Sequence, residues 1–311
     1  MNNCPQKKLL SLIVPVFNEE ENIETFLKTV SCELDKIAYN LEIIFIDDGS
    51  TDKTFERIKF LISDFPCVGV IKFSRNFGKE AALTAGLDFA KGDAIIPIDV
   101  DLQDPPSVII EFIQKWEEGA KTVFGVRRSR NEDSIGKSAS AGIFYRLFNS
   151  ISDHSIPRNA GDFRLIDRKV VDIIKQMPER NRFMKGLFSW PGFKTAYVEY
   201  DRPIRSSGKS KFNAWKLWNF ALDGITSFST LPLRAWAYVG SVIAIFSLIY
   251  MAFIIIRTLV MGVGWPGYAS LMAVILFLGA VQLISIGVIG EYIGRLYLEC
   301  KRRPIYIVEE E

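Results

Sequence analysis

Two stretches toward the end of the sequence, AYVGSVIAIFSLIYMAFIIIRTLV (237–260) and ASLMAVILFLGAVQLISIGVIGEYIG (269–294), are apolar around nearly their whole circumference. A helix of about 20 such residues crosses the ~30 Å hydrocarbon layer of a bilayer. A core helix of that length in a globular domain would need a polar stripe facing water. The sequence therefore predicts two membrane spans, about 236–259 and 270–294, and these set the architecture: a head of residues 1–230 and a membrane segment of 231–311 ending in a short tail. Lys209, Lys211, Lys216 and Arg234 precede the first span, and Lys301, Arg302 and Arg303 follow the second. The linker between the spans carries only Arg257, near its start. Positive flanks stay in the cytoplasm, so the expected protein is multi-pass in the cytoplasmic (inner) membrane, with the head and both termini inside.

The rest of the composition narrows the field. Hydrophobic residues make up 49% of the 311, with the excess concentrated after residue 230. Lys and Arg (38) nearly balance Asp and Glu (36), so no whole-protein field attracts nucleic acid, which is not an expected partner. The N-terminal apolar run is too short and too soon interrupted to read as a secretory leader. Cys4, Cys32, Cys67 and Cys300 form no CxxC pair and fit a reducing compartment.

In the head, four segments repeat one plan: an apolar run, a polar turn, then a helical pattern. They are LLSLIVPVFNEEENIETFL, LEIIFIDDGSTDKTFERI, VGVIKFSRNFGKEAALTAG and DAIIPIDVDLQDPPSVIIEF. Glu19, Glu20 and Glu21 suit the positive end of the first helix, and Ser50, Thr51 or Asp52 can cap the second. Alternating apolar strands and helices predict an α/β fold, a mostly parallel Rossmann-like sheet with helices on both faces. Right-handed crossovers then bring the strands' C-terminal ends to one edge, where open α/β sheets bind ligands.

That edge collects Pro15, Phe17, Asn18 and Glu19; Asp47, Asp48, Gly49 and Ser50; Arg75, Asn76, Gly78 and Lys79; and Asp99, Asp101, Gln103 and Asp104. Each set alone is what a turn requires. Four successive strand ends carrying acids, amides or cations point to a site. IPIDVDLQDPP (96–106) is the most loaded of them. Asp99 and Asp101 lie two apart on an extended segment and point the same way. Carboxylates that close raise each other's pKa or recruit a cation. An all-oxygen set of Asp99, Asp101 and the Gln103 amide favours Mg²⁺ or Mn²⁺ over zinc, and suits a metal bridged to a nucleotide diphosphate.

SLIVPVFNEEENI, IFIDDGSTDKT, SRNFGKEAAL and DVDLQDPP together resemble the nucleotide-sugar motifs of family 2 glycosyltransferases with the GT-A fold. AGDFRLIDRKV (160–170), RPIRSSGKSKF (202–212) and the paired apolar stretches resemble the polyprenyl-phosphate branch of that family, which includes bactoprenol glucosyltransferases and dolichol-phosphate mannose synthases. The resemblance implies that Pro15, Phe17, Glu19 and Asp48 hold the nucleoside, with Asp47, Asn76, Lys79 and Asp99 as further donor contacts. Phe17 stands where many relatives have tyrosine, so only stacking is implied there. Asp99, Asp101 and Gln103 would take the metal, Asp101 thereby acting in catalysis, and Asp162 is the implied base. A phosphate monoester has a second pKa of about 6, so a lipid phosphate is already largely dianionic, and Asp162 is expected to orient groups more than to remove a proton. A structural pair with Arg164 is the alternative. The implied phosphate-binding cations are Arg205 and Lys211, with Arg202 and Lys209 beside them; Arg127 and Arg128 form another basic cluster.

The implied reaction is inverting transfer of a hexose, glucose from UDP-glucose, to undecaprenyl phosphate at the cytoplasmic face. GDP-mannose or a UDP-amino-arabinose derivative are alternative donors. A processive polysaccharide synthase is disfavoured because no QxxRW follows the head. A non-catalytic membrane scaffold that keeps the nucleotide-binding head is the alternative from another class. Trp215, Trp218, Leu222 and Ile225 at helical spacing in 211–228 predict an amphipathic helix lying on membrane lipids, and 141–152 offers a weaker second. Gly279, Gly287, Gly290 and Gly294 would permit close helix packing and a homo-oligomer. Glu291 and Arg295 are spaced to pair, and His154 is given no role.

Overall fold

The computed structural model describes residues 7–35, 37–128, 160–180, 182, 184–201, 231–261 and 267–311. The chain divides into two compact units, Met1–Gly224 with Arg303–Glu311, and Ile225–Arg302. In the first unit, β1 (Leu9–Val16), β2 (Asn40–Asp47), β3 (Val68–Phe73) and β4 (Ala94–Pro97) pair in parallel in the order β4-β1-β2-β3. Their side chains are apolar on both faces, as a sheet covered on both sides demands. The connecting helices are α1 (Ile23–Leu34), α2 (Thr54–Ile62) and α3 (Lys79–Phe89); α4 (Val108–Glu117) follows β4. Helix α1 buries Ile23, Phe26, Leu27, Val30 and Leu34, the stripe that a period of 3.6 brings to one side.

The sheet is mixed where the sequence suggested a mostly parallel one. Beyond β4 come β6 (Ala160–Asp167), β5 (Thr122–Arg127) and β7 (Thr195–Tyr200), and the full order is β7-β5-β6-β4-β1-β2-β3-β8. Strand β6 runs antiparallel to both β4 and β5, while β5 and β7 are parallel. The strand-turn-helix repeat stops after α4, so nothing obliges the later strands to keep one direction. Two short helices, α5 (Arg168–Gln176) and α6 (Met184–Leu187), lie between β6 and β7. The eighth strand, β8 (Val308–Glu310), pairs antiparallel with β3. The tail expected to be a plain extension of the membrane segment thus belongs to the sheet of the head.

The second unit contains α7 (Leu231–Met261) and α8 (Tyr268–Cys300), which cover both expected spans. Among the described residues, one stretch is long and apolar enough to cross a membrane, Phe277–Cys300. Arg295 Nη2 donates to Glu291 Oε1 at 2.8 Å, the pairing their spacing predicted. Among the described residues, none lies within 4 Å of where a Cβ would stand at Gly279, Gly287, Gly290 or Gly294.

Helix α3, whose first residue enters the site, seats on β1 through Gly86. A Cβ there would lie 2.0 Å from Ile13 Cγ2. Gly86→Ala is therefore expected to overpack this contact and destabilise the head by about 1–3 kcal/mol. Ile13→Ala should lessen that penalty, read as coupling between the two substitutions in denaturant titrations of the full chain; simple additivity would contradict the packing described.

Candidate active site

Strand order reverses between β1 and β4, because the chain adds β2 and β3 on one side and then returns to place β4 on the other. Loops leaving these two strands diverge and leave a crevice. A cavity of about 380 Å³ occupies this place, lined by Pro15, Val16, Phe17 and Glu19 after β1, Asp48 after β2, Asn76, Gly78, Lys79 and Ala82 around the start of α3, and Asp99, Val100 and Asp101 after β4. Eight of the predicted site residues (Pro15, Phe17, Glu19, Asp48, Asn76, Lys79, Asp99 and Asp101) share this wall.

The turns after β1 and β2 are laced together. Asn18, in left-handed conformation with φ of 55°, donates its N–H to Ser50 Oγ at 2.9 Å, and its Oδ1 accepts from the Thr51 N–H at 2.8 Å. The Glu19 N–H donates to Thr54 Oγ1, and Glu20 Oε2 accepts from the Lys53 N–H. Glu20 therefore serves the turn, while the Glu19 carboxylate accepts from Asn22 Nδ2 at 2.6 Å at the N-cap of α1, which begins at Ile23 and carries Glu24 in its first turn. Phe17 keeps 40% of its surface exposed, leaving a ring face free at the mouth. Asp52 accepts from the Thr54 N–H at 3.0 Å, but the N-cap of α2 is Lys53 and no side chain caps it, unlike the Ser50, Thr51 or Asp52 cap expected.

Asp47 and Asp48 have separate tasks. Asp47 is wholly buried beneath the crevice and outside its lining, which departs from the donor contact the sequence suggested. Its Oδ1 accepts from the Ser50 N–H at 2.9 Å, and burial pushes its carboxyl up from the usual range. Asp48 reaches across to the loop after β3, accepting from the Phe77 N–H at 2.6 Å and the Gly78 N–H at 2.9 Å. Burial raises its pKa and those two N–H groups oppose the rise. Gly49 makes this approach possible: at φ of 68°, a Cβ there would lie 2.5 Å from the Arg75 carbonyl carbon.

The crevice is strongly acidic, and one ammonium answers it. Lys79 Nζ lies 2.7 and 2.9 Å from the two oxygens of Asp99 and 3.0 Å from Asp162 Oδ2. Burial by itself would lower the Lys79 pKa, but Asp99 and Asp162 outweigh it and hold the group above its ordinary value. Asp162 arrives from β6, outside the strand repeat, so no periodicity linked it to Lys79. The buried Arg164 that was its alternative partner donates to the main-chain oxygens of Gly161 at 2.6 Å and Asp162 at 3.2 Å, and lies between the rings of Phe124 and Phe188. It shapes the end of β6 that presents Asp162.

Asp99 and Asp101 both face the cavity, and the wall already stabilises one positive charge at Asp99. Two carboxylates with few other protein ligands fit Mg²⁺ or Mn²⁺, which take remaining positions from water and phosphate. Among the described residues no group of three or more His, Cys, Asp or Glu is placed to hold a metal, so the fit is to a metal completed by a ligand's own oxygens. Gln103 does not join them: it is buried and outside the lining, its N–H donating to Asp101 Oδ1 at 3.2 Å. Leu102, at φ of 54°, turns the chain between them.

Asp104, which the sequence left as a turn residue, is buried and accepts from the Tyr200 hydroxyl at 2.5 Å, with Arg127 Nη2 3.8 Å away. It ties the loop after β4 to β5 and β7. A buried acid beside two prolines gave no signal of that partner. Arg202, Arg205, Lys209, Lys211, the 211–228 and 141–152 segments and His154 lie outside the described residues.

A crevice of this kind at the switch point of such a sheet invites comparison with known proteins. The model for "Glycosyl transferase family 2" matches residues 11–174, and that for "GtrB C-terminal hairpin" matches 231–296. The chain is 56% identical over 302 residues to a bactoprenol glucosyl transferase of Shigella phage SfV, covering 97% of this chain and 98% of that protein. It is 55% identical over 300 residues to a prophage bactoprenol glucosyl transferase homolog of Escherichia coli K12, covering 96% and 98%. An uncharacterized glycosyltransferase of Synechocystis is 52% identical over 301 residues, covering 97% and 95%. With its strand-end motifs gathered on one crevice, the chain is a glycosyltransferase and belongs to glycosyl transferase family 2.

Proposed function

We propose that the protein transfers a hexose, glucose from UDP-glucose, to a polyprenyl phosphate such as undecaprenyl phosphate, inverting the anomeric centre and using Mg²⁺ or Mn²⁺. The observation that carries this reading is the Lys79 ammonium held between Asp99 and Asp162 in one crevice with Phe17 and Asp48. That arrangement supports a negatively charged diphosphate: a cation and a two-carboxylate metal position face the same space. The relatives named for bactoprenol glucosyl transfer support the acceptor and the sugar.

In this reading Phe17 stacks on the base, and Glu19 and Asp48 accept hydrogen bonds from the nucleoside, beside Pro15 and Asn76. Asp99 and Asp101 would hold the metal, which supplies charge neutralisation on the departing diphosphate. Lys79, paired with Asp99 and Asp162 on the same wall, would face the diphosphate as a second cation. Asp162 sits at the far end of the same ion pair and orients the acceptor or the sugar. The acceptor phosphate attacks the anomeric carbon as the bond to the nucleoside diphosphate breaks. Arg127, beside Gly161, adds positive charge on that side, and Arg205 and Lys211 are assigned to the lipid phosphate.

Both long helices are proposed to cross the membrane, with head and tail in the cytoplasm. Residues up to 224 and residues 303–311 belong to one compact unit, which supports an even number of crossings between them. Lys301, Arg302 and Arg303 favour the cytoplasm for that end.

The deciding experiment incubates membranes holding the protein with polyprenyl phosphate and a panel of radiolabelled UDP- and GDP-sugars, then extracts the lipid. Label carried into lipid from UDP-glucose alone is the expected result; label from another donor would revise the sugar. Asp99→Ala and Asp101→Ala are each expected to lower transfer by about 100-fold or more while the fold persists by circular dichroism. EDTA should stop wild-type transfer and Mg²⁺ or Mn²⁺ restore it; full activity in either case would remove the metal from the mechanism. Arg205→Ala is expected to raise the KM for lipid phosphate more than that for the donor, and equal effects on the two would refute its assignment.

A further inference from the structure

The last strand of the sheet is the feature that the proposed reaction leaves unused. Strand β8 lies along β3 with Lys72 opposite Glu310 and Phe73 opposite Val308, and the Ser74 N–H donates to Ile307 O at 3.1 Å. Outside the backbone pairing, Glu310 meets Lys59 and Glu309 meets Lys72 at 3.4 Å, exposed pairs that add little. The closer grip is made by Tyr306. Its ring stacks on Phe73 with centroids 5.1 Å apart and planes 13° from parallel, and its hydroxyl donates to Asp88 Oδ2 at 2.9 Å.

Those two partners are the supports of one loop. Phe73 ends β3, and Asp88 belongs to α3, which starts at Lys79. Between them runs the loop 74–78, which carries Asn76 and Gly78 into the crevice and delivers Lys79. Phe73 meets Phe77 edge-on at 5.7 Å, Arg75 covers the other part of the Phe77 ring at 4.1 Å, and the Phe77 and Gly78 N–H groups hold Asp48. An unbroken series of contacts thus runs Tyr306–Phe73–Phe77–Asp48, from the tail to the wall of the cavity. Covering a sheet edge against aggregation would need only the backbone pairing. It would not need an aromatic side chain inserted beneath the loop and hydrogen-bonded to the helix that follows.

We infer that Tyr306 and the β8 strand are positioning elements for the donor site, setting the 74–79 loop so that Asp48, Asn76 and Lys79 meet the nucleotide sugar. The inference rests on the donor-site reading above for what the loop binds. The tail makes no contact with the reacting atoms, so it acts on donor binding and leaves the chemical step alone.

The test compares the full chain in detergent with a chain ending at Arg303, with Tyr306→Ala and with Tyr306→Phe. Two readouts are taken: hydrogen exchange of the segment containing Phe77 and Gly78, and the affinity and KM for the nucleotide sugar. Truncation and Tyr306→Ala are expected to speed exchange in that segment and raise the donor KM by about five- to tenfold, the scale of losing one stacked aromatic pair, with kcat within about twofold of wild type. Tyr306→Phe keeps the ring and should stay close to wild type. Adding the peptide RRPIYIVEEE (302–311) to the truncated chain should restore both readouts. Unchanged exchange and donor KM after truncation would overturn the inference. So would a fall in kcat at constant KM, or a general loss of fold that neither the peptide nor Tyr306→Phe avoids. If the wild type bound no nucleotide sugar, the donor-site reading would fail, while exchange at Phe77 and Gly78 would still decide whether the tail sets the loop.

Discussion

Asp99 follows β4, Asp162 lies on the neighbouring β6, and the Lys79 ammonium pairs with both. Carboxylates concentrated on a partly enclosed wall repel one another and are costly to desolvate. The head answers this in two ways. Asp48 is satisfied by two backbone N–H groups, and Asp99 with Asp162 by one shared cation. Both answers draw on the same short stretch, residues 77–79, so the loop after β3 is the electrostatic keystone of the crevice. Gly49, the laced turns at Asn18 and Ser50, and the Gly86 seat of α3 all serve to bring that loop within reach.

Much of this was legible before any coordinates. Four apolar runs, each ending in Asp, Asn, Gly or Ser and followed by a helical stripe, leave a parallel α/β arrangement as the way to bury both faces of the strands. The handedness of the crossovers then delivers Phe17, Asp48, Lys79, Asp99 and Asp101 to one edge without knowledge of side-chain positions. Local pattern and chirality alone suffice for that delivery. They do not reach a partner that comes from far along the chain. Glu20 looks like a helix-start acid by position, yet the turn before α2 claims it. Gln103 shares the spacing of a ligand, but the left-handed step at Leu102 sends the chain away from the crevice.

The second half of the sheet was the harder part to read. Strands β5, β6 and β7 do not follow the repeat, and their contributions are set by tertiary pairings. Asp104 finds Tyr200 across 96 residues, and Arg164 is buried against main-chain carbonyls and the rings of Phe124 and Phe188. Strand β8 is shorter still, three residues with no periodicity of its own, and only the exposed edge of β3 gives it a place. A segment that short has its conformation chosen by its neighbour.

That placement bears on how the protein is made. Strand β8 follows α8 in the chain, so it cannot reach β3 until both long helices have been synthesised. The first four strands can assemble much earlier, since domains fold as they emerge. During that interval the head exists with an open edge and an unsupported Phe73. The contacts of Tyr306 with Phe73 and Asp88 are thereby deferred until both long helices have left the ribosome. The order of the chain thus orders the events: both helices emerge first, and only afterwards is the edge of β3 covered.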